Sequence, residues 1–419
     1  IVKGELAAVK DEFATPRRSV IAEQEGEVED EDLIQREDMV VTVSHLGYVK
    51  RVPLSTYRMQ KRGGKGRSGM QTRDEDFVSR LFVASTHTPV LFFSSRGRVY
   101  KEKVWRLPLA APQARGRPLI NILPIEQGEL MTSILPLPED ETTWGNLDVM
   151  FATTKGTVRR NKLSDFVDVR RSGIIAMKLA EGEGILDVQI CTEMDDVLLT
   201  TAAGHCIRFP VTDVRVFSGR TSMGVRGINL ADGDRVISQS ILRHMDVSSE
   251  ERIAYLKRAG AVRRGQNGDE LEAVADADEA QEVAASTMEL GEQRYVELSA
   301  AEQFVLTLSE QGFGKRSSSF EYRTTGRGGK GITAMSVTGK TGEVVASFPV
   351  EESDQIMLVT DGGKLIRTSV SGIRIAGRST QGVIVFDTAE GEKVVSVERI
   401  GEEGDDSGNG NGNGNGGTV

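Results

Sequence analysis

One pattern recurs along this chain and limits what it can fold into. A β-rich apolar run, a turn built on glycine and a second short run with basic residues occur together six times. The apolar runs are Val40–Val43, Val90–Phe93, Val149–Ala152, Val197–Thr200, Phe304–Thr307 and Ile356–Val359. Their turn glycines, Gly47, Gly97, Gly156, Gly204, Gly312 and Gly363, are separated by 50, 59, 48, 108 and 51 residues. A unit of about 50 residues made only of strands and turns cannot bury both of its faces alone, so such units stack radially. The expected fold is all-β, a closed ring of six blades.

The doubled interval predicts extra material at 245–300. There Ser248-Ser249-Glu250-Glu251 has the form of a capping box, and Arg252 to Arg264 reads as helix. The Ala-rich, acidic stretch 269–285 comes next. Residues 33–244 then hold the first four blades and 301–401 the other two. Val2, Leu6, Val9 and Phe13 lie at helical spacing with no capping signal before them, so 1–32 reads as the remnant of a cut helix followed by an acidic linker. The Gly/Asn-rich end, 402–419, is expected to be disordered and the chain to be a fragment of a longer protein.

Net charge misleads here because it is segregated. The chain carries 52 Lys+Arg against 62 Asp+Glu, a formal −10, yet residues 45–120 hold 16 cations and 4 acids. Residues 265–302 hold 11 acids and only Arg294, and 23–38 hold 9 acids and only Arg36. A basic body with acidic appendages would bind a polyanion on the body. Two cysteines, Cys191 and Cys206, fit no framework of several disulfides and no C-x-x-C, which reads as a reducing cytoplasm. No run approaches 18 apolar residues, so no membrane-spanning helix is expected.

Each unit also carries a Gly/basic element in its second half. In the first it is the heptad Gln60-Lys61-Arg62-Gly63-Gly64-Lys65-Gly66. The others are Arg115-Gly116-Arg117, Arg170-Arg171-Ser172-Gly173, Gly219-Arg220 with Arg226-Gly227, Gly326-Arg327-Gly328-Gly329-Lys330-Gly331, and Gly377-Arg378. Glycines permit close backbone approach and φ > 0, while neighbouring cations that cannot neutralise each other suit an anion such as a phosphate backbone. Equivalent places on a ring share one rim, so Arg117, Arg171, Arg220, Arg226, Arg327, Lys330 and Arg378 join the heptad as candidate phosphate contacts. Aromatic residues are 5% of the chain, and Tyr48, Tyr57 and Tyr100 read as blade packing rather than stacking platforms.

The heptad, coming after Leu46-Gly47-Tyr48-Val49-Lys50-Arg51, closely resembles the signature box of the DNA gyrase A carboxy-terminal domain family, whose usual form is Q-R-R-G-G-K-G. Lys61 departs from it, keeping the charge but losing the planar fork of arginine. The resemblance runs from about Glu31 to Ile400. It implies a six-bladed β-pinwheel, in which strands are exchanged between blades, that wraps double-stranded DNA for ATP-dependent negative supercoiling. It also implies partners: the amino-terminal part of the same polypeptide and the second gyrase polypeptide, gyrase B, in an A2B2 assembly. The cleavage tyrosine, Mg and ATP would lie in those other parts, leaving this chain without a cofactor. The corresponding topoisomerase IV domain is similar but lacks an intact box, which Gly63-Gly64-Lys65-Gly66 argues against. A protein-interaction β-propeller with a basic rim is the reading from a different class.

Catalytic signals are weak. Ala334 to Thr341 brushes the phosphate-loop pattern, but Gly342 to Phe348 reads as a strand where that motif needs a helix. His45, His87, His205 and His244 are scattered without metal-ligand spacing, and the acids cluster in the appendages.

Overall fold

The computed structural model describes residues 2–15, 30–44, 46–56, 78–267, 289–361, 365–388 and 391–400. The heptad Gln60–Gly66, Tyr57, His45, the acidic stretch 269–285 and the tail 402–419 lie outside them. Residues 1–36 and 37–419 form two units. In the first, α1 (Val2–Phe13) leaves Val2, Leu6, Val9 and Phe13 each at least 53% exposed.

The second unit contains all the strands. Repeat 1 supplies β1 (Asp38–Ser44), β2 (Tyr48–Pro53) and β3 (Val78–Ser85). Repeat 2 supplies β4 (Pro89–Ser94), β5 (Arg98–Lys103), β6 (Arg117–Pro118) and β7 (Met131–Pro136). Repeat 3 continues with β8 (Asp148–Thr153), β9 (Thr157–Lys162), β10 (Ile174–Ile175) and β11 (Ile185–Cys191). Repeat 4 has β12 (Asp195–Thr201), β13 (His205–Pro210), β14 (Val225–Arg226) and β15 (Val236–Arg243). Repeat 5 has β16 (Phe304–Ser309), β17 (Phe313–Ser318), β18 (Ile332–Thr333) and β19 (Val344–Val350). Repeat 6 closes with β20 (Gln355–Thr360), β21 (Leu365–Ser369), β22 (Val383–Ile384) and β23 (Val394–Ile400).

The first hairpins of repeats 1 to 5 turn on their repeat glycines, while Gly363 lies outside the described residues. Gly47, Gly97, Gly156, Gly204 and Gly312 have φ between 74° and 82°, and each donates its N–H to the carbonyl three residues earlier. This is a four-residue turn ending in a left-handed residue, a conformation glycine adopts without a Cβ clash.

The blades are not closed within one repeat. The sheet orders are β3-β1-β2-β6, β7-β4-β5-β10, β11-β8-β9-β14, β15-β12-β13-β18 and β19-β16-β17-β22. In each, the last strand comes from the following repeat, which is the exchange of a pinwheel. The sixth sheet shows β23-β20-β21. The last strands of successive repeats pack side by side, β7 on β11, β11 on β15, β15 on β19 and β19 on β23. β23 then meets β3, where Arg80 pairs with Glu398 at 3.6 Å. These strands face the axis, the ring closes between repeats 6 and 1, and the exchanged strands form the outer edge. The six-bladed all-β expectation is borne out.

Cores lie between successive blades, which is why β4 and β8 are buried along their whole length. Phe93 of one blade meets Phe151 of the next edge-on at 5.4 Å and Phe166 at 5.7 Å. Burying a side chain of this size stabilises by about 1.5–3 kcal/mol, so neighbouring blades fold on each other.

The insertion starts with a reciprocal cap. Ser248 Oγ accepts from the Glu251 N–H at 3.1 Å, and Glu251 Oε2 accepts from the Ser248 N–H at 3.1 Å. α2 (Ser249–Asn267) runs from it and packs with α3 (Glu292–Ala301) around Tyr255, Ala259, Leu298 and Phe320. No described helix is long and apolar enough to cross a membrane.

Candidate nucleic-acid interface

The Gly/basic element of each described repeat is the segment that enters its exchanged strand. A glycine stands at every entry, and the neighbouring backbone explains it. A Cβ on Gly116, Gly224, Gly331 or Gly382 would lie 2.8–2.9 Å from the carbonyl carbon of Val49, Val158, Cys206 or Gly314, respectively. At Gly173 it would lie 2.5 Å from Cε1 of Tyr100. The close approach expected of these glycines is therefore made to the preceding blade.

Many of the repeat's cations are spent the same way. The fourth residue of β2, β5, β9, β13 and β17 is Arg51, Lys101, Arg160, Arg208 and Arg316. Each donates to a carbonyl where the next repeat leaves its short 3-10 turn. Arg51 Nε reaches Leu107 at 2.8 Å, Lys101 Nζ reaches Val167 at 2.8 Å, and Arg316 Nε reaches Ile373 at 2.7 Å. Arg160 and Arg208 add buried carboxylates, Asp148 at 2.5 Å and Asp196 at 2.8 Å. The basic residues of the second run are thus inter-blade ties.

Burial perturbs the residue before them. Desolvation lowers Lys50 to about 8, Lys315 to about 7 and Arg159 to about 10, with Glu321 opposing the shift at Lys315 and Asp165 at Arg159.

The candidate contacts divide. Arg117, Arg171, Arg226 and Lys330 are exposed on the outer edge. Arg327 is exposed but donates to the carbonyls of Asp213 at 3.0 Å and Arg226 at 3.1 Å. Arg220 is half-buried and donates to the Asp165 carbonyl at 2.6 Å. Arg378 is 2% exposed, donating through Nε to the Glu321 carbonyl at 2.9 Å and through Nη1 to that of Thr333. Its guanidinium is consumed between blades, so Arg378 leaves the set. Arg220, Arg327 and Arg378 stand four residues before Gly224, Gly331 and Gly382, so the three equivalent arginines all tie to the preceding blade.

Two further cations belong to the rim. Arg215 is exposed and lies 4.4 Å over the Phe217 ring, and half-buried Arg115 lies 3.9 Å over that of Tyr48. The recurrence Val214-Arg215-Val216, Tyr322-Arg323-Thr324 and Ile373-Arg374-Ile375 is a sequence signal for the first of these. Adjacent loops also touch. The Gly328 N–H donates to Gly227 at 2.6 Å, Asn229 to Gly329 at 2.8 Å and Ser336 to Thr380 at 3.3 Å. The rim is a band of backbone with cations on its outer side.

Among the described residues no group of three His, Cys, Asp or Glu could hold a metal ion. Tyr100 is buried, and the phosphate-loop-like segment leads into the strand β19. Burial pushes the Cys191 thiol up to about 12, away from reactivity.

A ring of strand-exchanged blades with a cationic outer band defines a propeller-like domain. A family model described as DNA gyrase C-terminal domain, beta-propeller, matches residues 38–85, 88–138, 147–192, 195–238, 303–351 and 354–400. The chain belongs to that family. It is 49% identical over 413 residues to the DNA gyrase A protein of Rickettsia bellii, covering 97% of this chain and 44% of that protein. Against the gyrase A protein of Escherichia coli it is 40% identical over 395 residues, covering 94% and 38%. The chain thus spans less than half the length of these curated relatives. Among solved structures, a C-terminal domain of DNA topoisomerase IV matches with TM-score 0.64 at 21% identity, over 88% of this chain and 94% of that one. A DNA gyrase A C-terminal domain matches with TM-score 0.57 at 21% identity, over 87% and 100%. At such identity these two speak to the fold alone.

Proposed function

We propose that this chain is the DNA-wrapping module of a bacterial gyrase, bending a duplex around its outer rim. The observation that carries this is the band of exchanged strands, with Arg117, Arg171, Arg226 and Lys330 exposed along it and loop-to-loop hydrogen bonds joining it between repeats. Contact is to phosphates, without base readout, so sequence preference comes from how readily the DNA deforms. Arg220 and Arg327 add charge to the band while tied to main-chain carbonyls.

The heptad Gln60–Gly66 occupies in repeat 1 the place that the Gly/basic elements hold in the others. In this reading Lys61, Arg62 and Lys65 fix the point where the duplex closes its wrap. The module supplies handedness. Strand cleavage, with Mg, and ATP hydrolysis belong to the amino-terminal part of the same polypeptide and to gyrase B, in an A2B2 enzyme of the bacterial cytoplasm.

Ligating nicked circular DNA in the presence of the chain tests this, because a chiral wrap leaves a linking-number shift. Neutralising roughly 6–10 phosphates gives a log–log salt slope of about −5 to −9. Replacing Lys61, Arg62 and Lys65 together by Ala is expected to abolish the shift while the other repeats still bind. A zero shift with the unaltered chain, or salt-indifferent affinity, would overturn the proposal.

A further inference from the structure

The residue three positions after the repeat glycine alternates around the ring. It is Lys50, Arg159 and Lys315 in repeats 1, 3 and 5, and Tyr100, Ile207 and Ile366 in repeats 2, 4 and 6. The three cations are fully buried, with no exposed side-chain surface. Isolated buried charges are costly, so their partners matter.

Those partners are carbonyl oxygens of the next repeat's rim loop. Arg159 Nη1 donates to Arg220 at 2.7 Å and Ser222 at 2.9 Å, and also to Ala176 of its own repeat at 3.3 Å. Lys315 Nζ donates to Gly377 at 2.8 Å, Thr380 at 2.7 Å and Arg378. Lys50 Nζ donates to Ala111 at 3.4 Å and to Pro112. Counting back from Gly116, Gly224 and Gly382, the carbonyl four residues earlier is taken in all three cases, and the one two residues earlier in two. Each loop of repeats 2, 4 and 6 is folded around one buried cation.

We infer that Lys50, Arg159 and Lys315 are positioning residues for DNA binding, holding alternate rim loops in the shape that presents their outward cations. The inference rests on the DNA-wrapping reading and adds to it residues that touch no DNA. Two effects arise from the geometry. Drawing the carbonyl oxygens inward takes the loop's acceptors, which would repel phosphate, off the outer surface. The cation beneath also adds positive potential where the dielectric is low. In repeat 4 the loop so held lies between exposed Arg215 and exposed Arg226.

Arg159→Met tests this on the whole chain. Arg159 Nε and Nη2 have no hydrogen-bond partner among the described residues, so an apolar side chain of similar length also removes a desolvation cost, and the fold is expected to survive. In DNA-free protein, amide hydrogen exchange at 218–224 is expected to accelerate while β16 and β20 stay protected. Affinity for a duplex of about 40 base pairs is expected to fall about three- to tenfold, with the salt slope reduced in magnitude by about 1, the loss of one phosphate contact. Arg159→Lys should restore both. Should Arg159→Met not fold, Lys50→Met is read by the same measurements at residues 110–117. A folded variant with unchanged loop exchange and unchanged salt slope overturns the inference. Failure of the underlying reading looks different: the unaltered chain would show no salt-dependent DNA binding, while the exchange measurement would still report on the cradle.

Discussion

Gly331→Ala should break the strand exchange between repeats 4 and 5. Gly331 has φ +79°, and a Cβ there would run into the Cys206 carbonyl, 2.9 Å from its carbon. Gly233 serves as the control, with φ +81° and open space where its Cβ would go. Both substitutions incur the left-handed conformational cost of an L-residue, about 1–2 kcal/mol. Only Gly331→Ala must also push β18 off β13, where Cys206 pairs with Ile332 and His205 with Thr333. Loosening two backbone hydrogen bonds at about 0.5–1.5 kcal/mol each adds about 1–3 kcal/mol. The expected destabilisation is therefore about 2–5 kcal/mol for Gly331→Ala and about 1–2 for Gly233→Ala. Urea unfolding followed by far-UV circular dichroism separates them, and DNA affinity should fall only for the first, since Lys330 is displaced. Equal losses at the two sites would refute the claim that the glycine is kept for close approach to the preceding blade.

Arg226→Ala should lower the magnitude of the DNA-binding salt slope by about 1 and leave stability alone. Arg378→Ala should do the reverse, destabilising by about 1–3 kcal/mol because the Glu321 and Thr333 carbonyls lose a buried donor. The depressed Lys315 gives a pH signature: with its ammonium at about 7 in the fold and near 10.5 unfolded, the unfolded chain binds more protons between these values, so this group's contribution to stability rises with pH across that window. Unfolding midpoints at about pH 6.5, 8 and 9.5 should rise less for Lys315→Met than for the unaltered chain. Removing 268–288, which carries seven acids and no Lys or Arg, should raise DNA affinity several-fold at low salt, the gain shrinking as salt screens a tethered competitor. Equal affinities of the two forms across a salt series would leave that segment a spacer.

Much of the fold was legible because it is written in repeats. The hairpin glycines and apolar runs recur at intervals that one interruption alone disturbs, and the capping box at Ser248–Glu251 marks where α2 of that interruption begins. The exchange could not be read from the residues, since β6, β10, β14, β18 and β22 have two residues each and carry no periodicity. The site was legible only in part for the same reason. Arg226 and Arg378 both stand in Gly/basic elements, and nothing local says that one faces solvent while the other is clamped between Glu321 and Thr333. Arg51, Arg160 and Arg208 likewise look like surface cations until the incoming loop brings carbonyls that require a donor.

Strand exchange also answers a physical problem that a ring of open-edged sheets must solve. The second strand of each blade would otherwise present a row of unpaired N–H and C=O groups along the outer surface, an edge open to aggregation. In the first five blades two residues from the next repeat cover that edge, and the rest of the loop is left to carry charge. Because the same loop is tied through Arg51, Lys101, Arg160, Arg208 and Arg316 to the blade before it, the spacing between rim cations is set by inter-blade cores such as Phe93 on Phe151. A rim built this way cannot shift one contact without repacking a blade. On the proposed reading a duplex bound along it must take up the curvature of the ring, and the contacts along the rim offset the cost of bending.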